Sequence, residues 1–188
     1  MDLVMTEQRH KIHPKKLTLW FAIGSIIMMF AGLTSAYIIK RNLANWVDFE
    51  IPTFFWYSTG ALILSSIAMR VAHKAFSIKD MPKYRTWLVI TTLLGIVFII
   101  LQYFGFLHLW NIGMTLQKNV SFSFLWVIVG LHALHVVGGI IALLVIYLKA
   151  FNTKVKVYSS LPIEMMSTYW YFVDILWIYL LIFLIMMR

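Results

Sequence analysis

Five apolar runs, each long enough to cross a bilayer, alternate with short polar stretches along the chain: Leu17–Ile39, Pro52–Val71, Thr86–Leu107, Ser121–Leu148 and Thr168–Met187. A hydrocarbon core about 30 Å thick is spanned by about 20 residues of helix, so each run predicts one transmembrane segment. Lipid cannot hydrogen-bond a bare backbone, which leaves helices or a closed barrel. Barrel strands alternate apolar and polar residues; these runs carry Leu, Ile, Val, Phe and Met on most faces, so helices remain. The first run exceeds the 7–15 residues of a signal-peptide core and reads as an uncleaved span. The predicted fold class is all-α, an integral membrane bundle of five transmembrane helices forming a single domain over residues 1–188.

Composition agrees with that pattern. Charged residues make up 12% of the chain and hydrophobic residues 62%, against about 25% charged in soluble domains. The net charge of +9 matters less than where it lies. Twelve Lys and Arg flank one side of the predicted bundle, among them Lys15, Lys16, Arg70, Lys74, Lys83 and Lys149; only Lys40, Arg41, Lys118 and Arg188 flank the other. The positive-inside rule then places the N-terminus in the cytoplasm and the C-terminus outside. These cations orient helices and meet anionic headgroups, so membrane lipid is the expected partner and nucleic acid is not. Trp20, Trp46, Trp56, Trp87, Trp110, Trp126, Tyr169 and Trp170 gather at span ends as an expected interfacial belt. Cysteine is absent, which removes thiolate ligands and nucleophiles.

Polar residues inside the spans are the candidate functional groups. Asp174 lies within the fifth run, where insertion of Asp costs about 2.5–3.5 kcal/mol and requires a partner. His132 and His135 stand one turn apart in the fourth run, on a stripe continued by Gly139 and Ala142. At about 1.5 Å per residue, His135 lies about 20 Å from Lys149, and Asp174 about 15 Å from Glu164. If Lys149 and Glu164 mark the same interface, His135 and Asp174 share a depth, and a histidine–carboxylate hydrogen bond is expected. Ser159, Ser160 and Pro162 form a helix-start signal, with Glu164 in the first turn. Small residues at Ala31, Gly32, Ser35 and Ala36, and at Gly130, Gly138 and Gly139, mark close helix packing. Gln102 calls for an interhelical partner. Structural hydrogen bonding, a polar relay and a cofactor ligand are three readings of the histidines; a metal site wants three or four ligands, more than this pair supplies.

Several segments resemble subunit III of the haem-copper oxidases. "GLHALHVVGG" at Gly130–Gly139 is similar to that family's GxHxxHVxxG segment, and "STYWYFVDILW" at Ser167–Trp177 to its YWHFVDxxW signature. "MFAGLTSAY" at Met29–Tyr37 resembles its FFAGxxxAY helix, and "ILQYF" at Ile100–Phe104 part of its LQxxEY segment. The resemblance covers all five spans and implies a short member lacking the first two helices of seven-helix relatives. It implies a non-catalytic subunit of a respiratory terminal oxidase, either a cytochrome c or a quinol oxidase, in the bacterial inner membrane. Such a subunit stabilises catalytic subunit I beside the other oxidase subunits, holds phospholipid and supports proton uptake. Haem and copper belong to the catalytic partner, with no cofactor, metal or catalytic residue in this chain. His132, His135, Glu164 and Asp174 are then structural or proton-linked, and Lys149 is a candidate for a lipid headgroup. The chain departs from the family pattern at Tyr171 in place of the signature His, at Ile26, and at Gly105 in place of a glutamate. A membrane cytochrome using His132 or His135, and an accessory subunit of a nitric oxide reductase, remain alternatives; a small transporter is a third.

Overall fold

The computed structural model describes residues 14–42, 46, 51–151 and 160–187, with the side chains of 149–151 outside the description. The described residues form five α-helices: α1 Pro14–Arg41, α2 Thr53–Ser77, α3 Met81–Asn111, α4 Val120–Phe151 and α5 Leu161–Met186. All five are long and apolar enough to cross a membrane. Each extends past the apolar run that predicts it, because the helix continues into polar residues at the headgroup level. The α5 start illustrates this: Ser160 and Pro162 open it well before the apolar run at Thr168. Ser160 occupies the N-cap position but is helical (φ −69°, ψ −21°) and makes no side-chain cap bond, while Ser159 lies outside the described residues.

Helices α2, α3, α4 and α5 form a ring, α2 on α3, α3 on α4, α4 on α5 and α5 on α2. Helix α1 packs outside this ring against α4 and α5. Lys16 meets Glu164 near one end of α1 and Tyr37 meets Met187 near the other, so α1 and α5 run parallel.

The α2–α3 hairpin is tight because one residue serves both helices. Lys79 adopts φ 61°, and the N–H groups of Lys79 and Asp80 donate to Phe76 and Ala75 (3.0 Å each), closing α2 with a Schellman motif. The Asp80 carboxylate then accepts from Lys83 N at 3.2 Å and opens α3, with Pro82 in its first turn. Asp80→Ala is expected to cost about 1 kcal/mol, read as a lower midpoint in detergent unfolding. The α3 C-terminus repeats the motif at Gly113 (φ +81°), whose neighbour Met114 donates to Leu109 O at 2.9 Å.

Lipid is as apolar as leucine, so close packing and interhelical hydrogen bonds hold such a bundle together. Trp170 is the centre of that packing. Its ring covers Gly95 of α3 and Gly139 of α4; a Cβ on either glycine would stand 2.9 Å and 3.0 Å from ring carbons. Its Nε1 donates to Ser65 Oγ of α2 at 2.9 Å. With 1% of its surface exposed, Trp170 does not join the interfacial belt expected for it. Trp20, Trp56 and Trp110 are exposed.

The small residues divide in the same way. Gly95 and Gly139 face the interior, whereas Ala31, Gly32 and Ser35 of α1 face outward, and a Cβ on Gly24, Gly32, Gly130 or Gly138 would meet nothing within 4 Å.

Candidate functional site

Two pairs of adjacent hydroxyls on α2, Ser58–Thr59 and Ser65–Ser66, lie seven residues apart and so return to the same helix face after two turns. Across from them stand the polar groups of α3 and α5. Gln102 Nε2 donates to Ser58 Oγ at 2.9 Å, and Trp177 Nε1 to Thr59 Oγ1 at 2.8 Å. Trp170 Nε1 donates to Ser65, and Ser66 Oγ donates to Asp174 Oδ2. Ser58, Thr59 and Ser65 send their own protons to backbone carbonyls of α2 at 2.7–2.9 Å, which frees their lone pairs to accept. These α2 hydroxyls went unread in the sequence; their seven-residue repeat was the available signal.

The expected His135–Asp174 bond does not form. Trp177 stacks on His132 and Trp170 packs on Gly139, contacts seven residues apart on both helices that bracket Asp174 and His135 at a similar depth. The direction differs. Asp174 turns to Ser66 of α2. The His135 ring bonds the carbonyl of Leu131 through Nδ1 at 2.7 Å and packs edge-on to Phe30 of α1 at 5.8 Å. His132, a turn away, is fully buried; it stacks on Trp177 at 4.9 Å and meets Phe98 at 5.8 Å. Two residues three apart on a helix differ by about 60° in direction, enough here to send one imidazole toward α1 and the other into the ring. Among the described residues neither nitrogen of His132 has a hydrogen-bond partner, and neither have Asp174 Oδ1 and Gln102 Oε1.

Glu164 lies far from these groups, at the start of α5. Its carboxylate takes the Lys16 ammonium at 2.7 Å. Both partners of this pair are more than a third exposed, so it contributes about 0–1 kcal/mol. Two clefts open near this end of α1 and α5. One, about 410 Å³, is lined by Lys16, Trp20, His73, Glu164, Ser167 and Thr168. The other, about 790 Å³ and mostly apolar, opens between α1, α4 and α5 where Gly138 and Ala142 leave room beside Tyr169, with Lys15 at its mouth. The Lys149 side chain lies outside the described residues.

Five helices long and apolar enough to span a bilayer, with polar side chains bonded between them, define a multi-pass membrane protein. Comparison with known proteins makes that specific. Residues 43–187 match the cytochrome c oxidase subunit III family. Cytochrome c oxidase subunit 3 of Corynebacterium diphtheriae is 31% identical over 175 residues, covering 86% of this chain and 85% of that protein. The Bacillus sp. (strain PS3) protein of the same name is 26% identical over 171 residues, covering 88% and 82%. Subunit 3 of a cytochrome bo(3) ubiquinol oxidase from Buchnera aphidicola is 28% identical over 171 residues, covering 87% of each chain. This chain belongs to the cytochrome c oxidase subunit III family and is a multi-pass integral protein of the bacterial inner membrane.

Proposed function

We infer that the chain is the non-catalytic subunit III of a respiratory haem-copper terminal oxidase, which reduces oxygen and translocates protons. The observation that carries this is the family match over residues 43–187, joined by relatives from both cytochrome c and quinol oxidases. The membrane-cytochrome and nitric oxide reductase readings are not favoured by those matches. The diverging rings of His132 and His135 also argue against a shared axial-ligand role. In this reading haem and copper sit in catalytic subunit I, and this chain stabilises that partner.

The outward face of α1 suits the docking role. It carries Gly24, Gly32, Ala31 and Ser35 with no neighbour of their own chain, and small residues let a partner helix approach closely. The apolar cleft beside Gly138 suits a phospholipid acyl chain, with Lys15 at its mouth for the headgroup phosphate. Glu164, His73 and Asp174 are the groups that would support proton uptake.

Mild-detergent purification through a tag on this chain tests the reading. A haem- and copper-bearing partner is expected to co-purify, and the double substitution Gly24→Leu/Gly32→Leu to reduce its recovery. A chain recovered colourless and alone sinks the subunit reading. A Soret band retained by the isolated chain and lost in His135→Ala would establish the cytochrome instead.

A further inference from the structure

Seven residues of helix advance about 10 Å and return to nearly the same face, and that step repeats on all four helices of the ring. In one layer Ser65 of α2, Gly95 of α3, Gly139 of α4 and Trp170 of α5 meet. The indole N–H donates to Ser65, and a Cβ on Gly95 or Gly139 would meet adjacent carbons of the same ring, Cη2 and Cζ3. A seven-residue step, forward on α3 and α5 and backward on α2 and α4, leads to Ser58, Gln102, His132 and Trp177. The contacts carry over. Gln102 Nε2 donates to Ser58 at 2.9 Å, Trp177 Nε1 donates to Thr59 at 2.8 Å, and Trp177 stacks on His132 at 4.9 Å with 28° between the planes. Where the first layer has two glycines against an indole, the second has an amide on α3 and an imidazole on α4.

These two side chains hold polar capacity that their protein neighbours do not use. Gln102 is 2% exposed and His132 is fully buried. The orientation of the amide is fixed. Ser58 sends its own proton to Phe55 O at 2.9 Å, so it can only accept from Gln102, and Oε1 is the atom left over. Among the described residues Oε1 and both His132 nitrogens lack a hydrogen-bond partner. The Trp177 N–H is taken by Thr59, and Asp174, three residues before it, accepts from Ser66. A donor or acceptor buried unpaired costs its whole desolvation energy, and in a native structure such a group points to a bound water or ion.

We propose that the ring binds an ordered water at this layer, bridging Gln102 of α3 and His132 of α4. Gln102 Oε1 can only accept, so the water donates one proton to it. A neutral imidazole presents one N–H and one bare nitrogen, and water serves either: it accepts from the N–H or donates its second proton to the bare nitrogen. Two polar partners meet the minimum for a buried water. Phe98, one turn from Gln102, closes one side, edge-on to His132 at 5.8 Å and to Trp177 at 5.4 Å. The water completes a circuit. At this level α2 is joined to α3 through Ser58 and Gln102, α2 to α5 through Thr59 and Trp177, and α5 to α4 by the stacked rings. The α3–α4 side is the one polar link still open, and it is the side on which the unpaired amide oxygen and imidazole stand. One layer then ties all four neighbours of the ring by named polar or stacking contacts, which lipid cannot replace.

The proposal concerns the ring alone and is independent of the subunit reading. The full chain, purified in mild detergent with the partners it retains, is solved at a resolution that shows ordered water. A density peak is expected at about 2.7–3.2 Å from both Gln102 Oε1 and one His132 nitrogen. His132→Phe keeps a ring to stack on Trp177 and removes both nitrogens; it is expected to lose the peak and to keep the Gln102–Ser58 bond. Gln102→Leu is expected to lose the peak from the other side. A native map with no peak between the two side chains overturns the proposal, as does a direct bond from His132 to Gln102. A peak that survives either substitution overturns it too, because its partners then lie elsewhere. The native map decides the matter even where neither variant accumulates.

Discussion

Trp170→Ala is expected to be among the most damaging single substitutions in the bundle, at about 3–5 kcal/mol. The ring is a surface on which α3 and α4 both rest, through Gly95 and Gly139, and its N–H ties α5 to α2 through Ser65. Removing it opens a cavity between glycines that have no side chain to fill it. The value should fall toward the lower end of the range, because a membrane bundle gains little from transferring apolar surface out of lipid; the loss is packing. Trp170→Phe is expected to be intermediate. It loses the donor, whose partner Ser65 still bonds Leu62 O at 2.7 Å, at about 1 kcal/mol, and it also loses outer indole carbons that touch Gly95 and Gly139. Unfolding in mixed micelles measures both. If the alanine variant unfolds within about 1 kcal/mol of the native protein, three helices do not depend on this ring and the packing scheme fails.

The number and position of the helices were legible in the sequence because bilayer thickness fixes the length of an apolar run and polar residues punctuate it. What faces what was less legible. Depth follows from counting residues at a constant rise, so His135 and Asp174 were placed at one level correctly. Azimuth depends on which helices are neighbours, and the closed ring sends Asp174 to α2 while α1, packed outside, collects His135. The same ambiguity explains the small residues. Gly32 and Gly139 look alike in sequence, yet one faces outward and the other lies under an indole. Trp170 read as an interfacial residue because tryptophan near a span end usually is one; an N–H partner on α2 and two glycines beneath the ring draw it inside. The hydroxyls of α2 were overlooked because serine and threonine in a span can satisfy themselves on their own backbone, so a single one carries little information. Two adjacent pairs spaced by two turns carry more.

Gly105→Ala is the second expected large effect, about 1–3 kcal/mol for the smallest possible addition to a side chain. A Cβ at Gly105 would stand 2.5 Å from Cε1 and 2.9 Å from Cδ1 of Phe55. Phe55 has no room to withdraw: it is fully buried, edge-on to Trp177 at 5.8 Å and to Phe106 at 6.2 Å. This gives a physical meaning to the departure from the family pattern at this position. Where the LQxxEY segment has a glutamate, the α2 phenyl ring fills the space, so the carboxylate and the ring are alternatives for one volume. The expected consequence is a strong double-mutant coupling. Phe55→Leu should be destabilising alone and should largely remove the penalty of Gly105→Ala, with an interaction energy above about 1 kcal/mol. Gly105→Glu should follow the same rule more steeply, tolerated only where Phe55 has been shortened. Additive costs within about 0.5 kcal/mol would mean that ring and backbone do not compete, and the missing glutamate would then have no steric counterpart in α2.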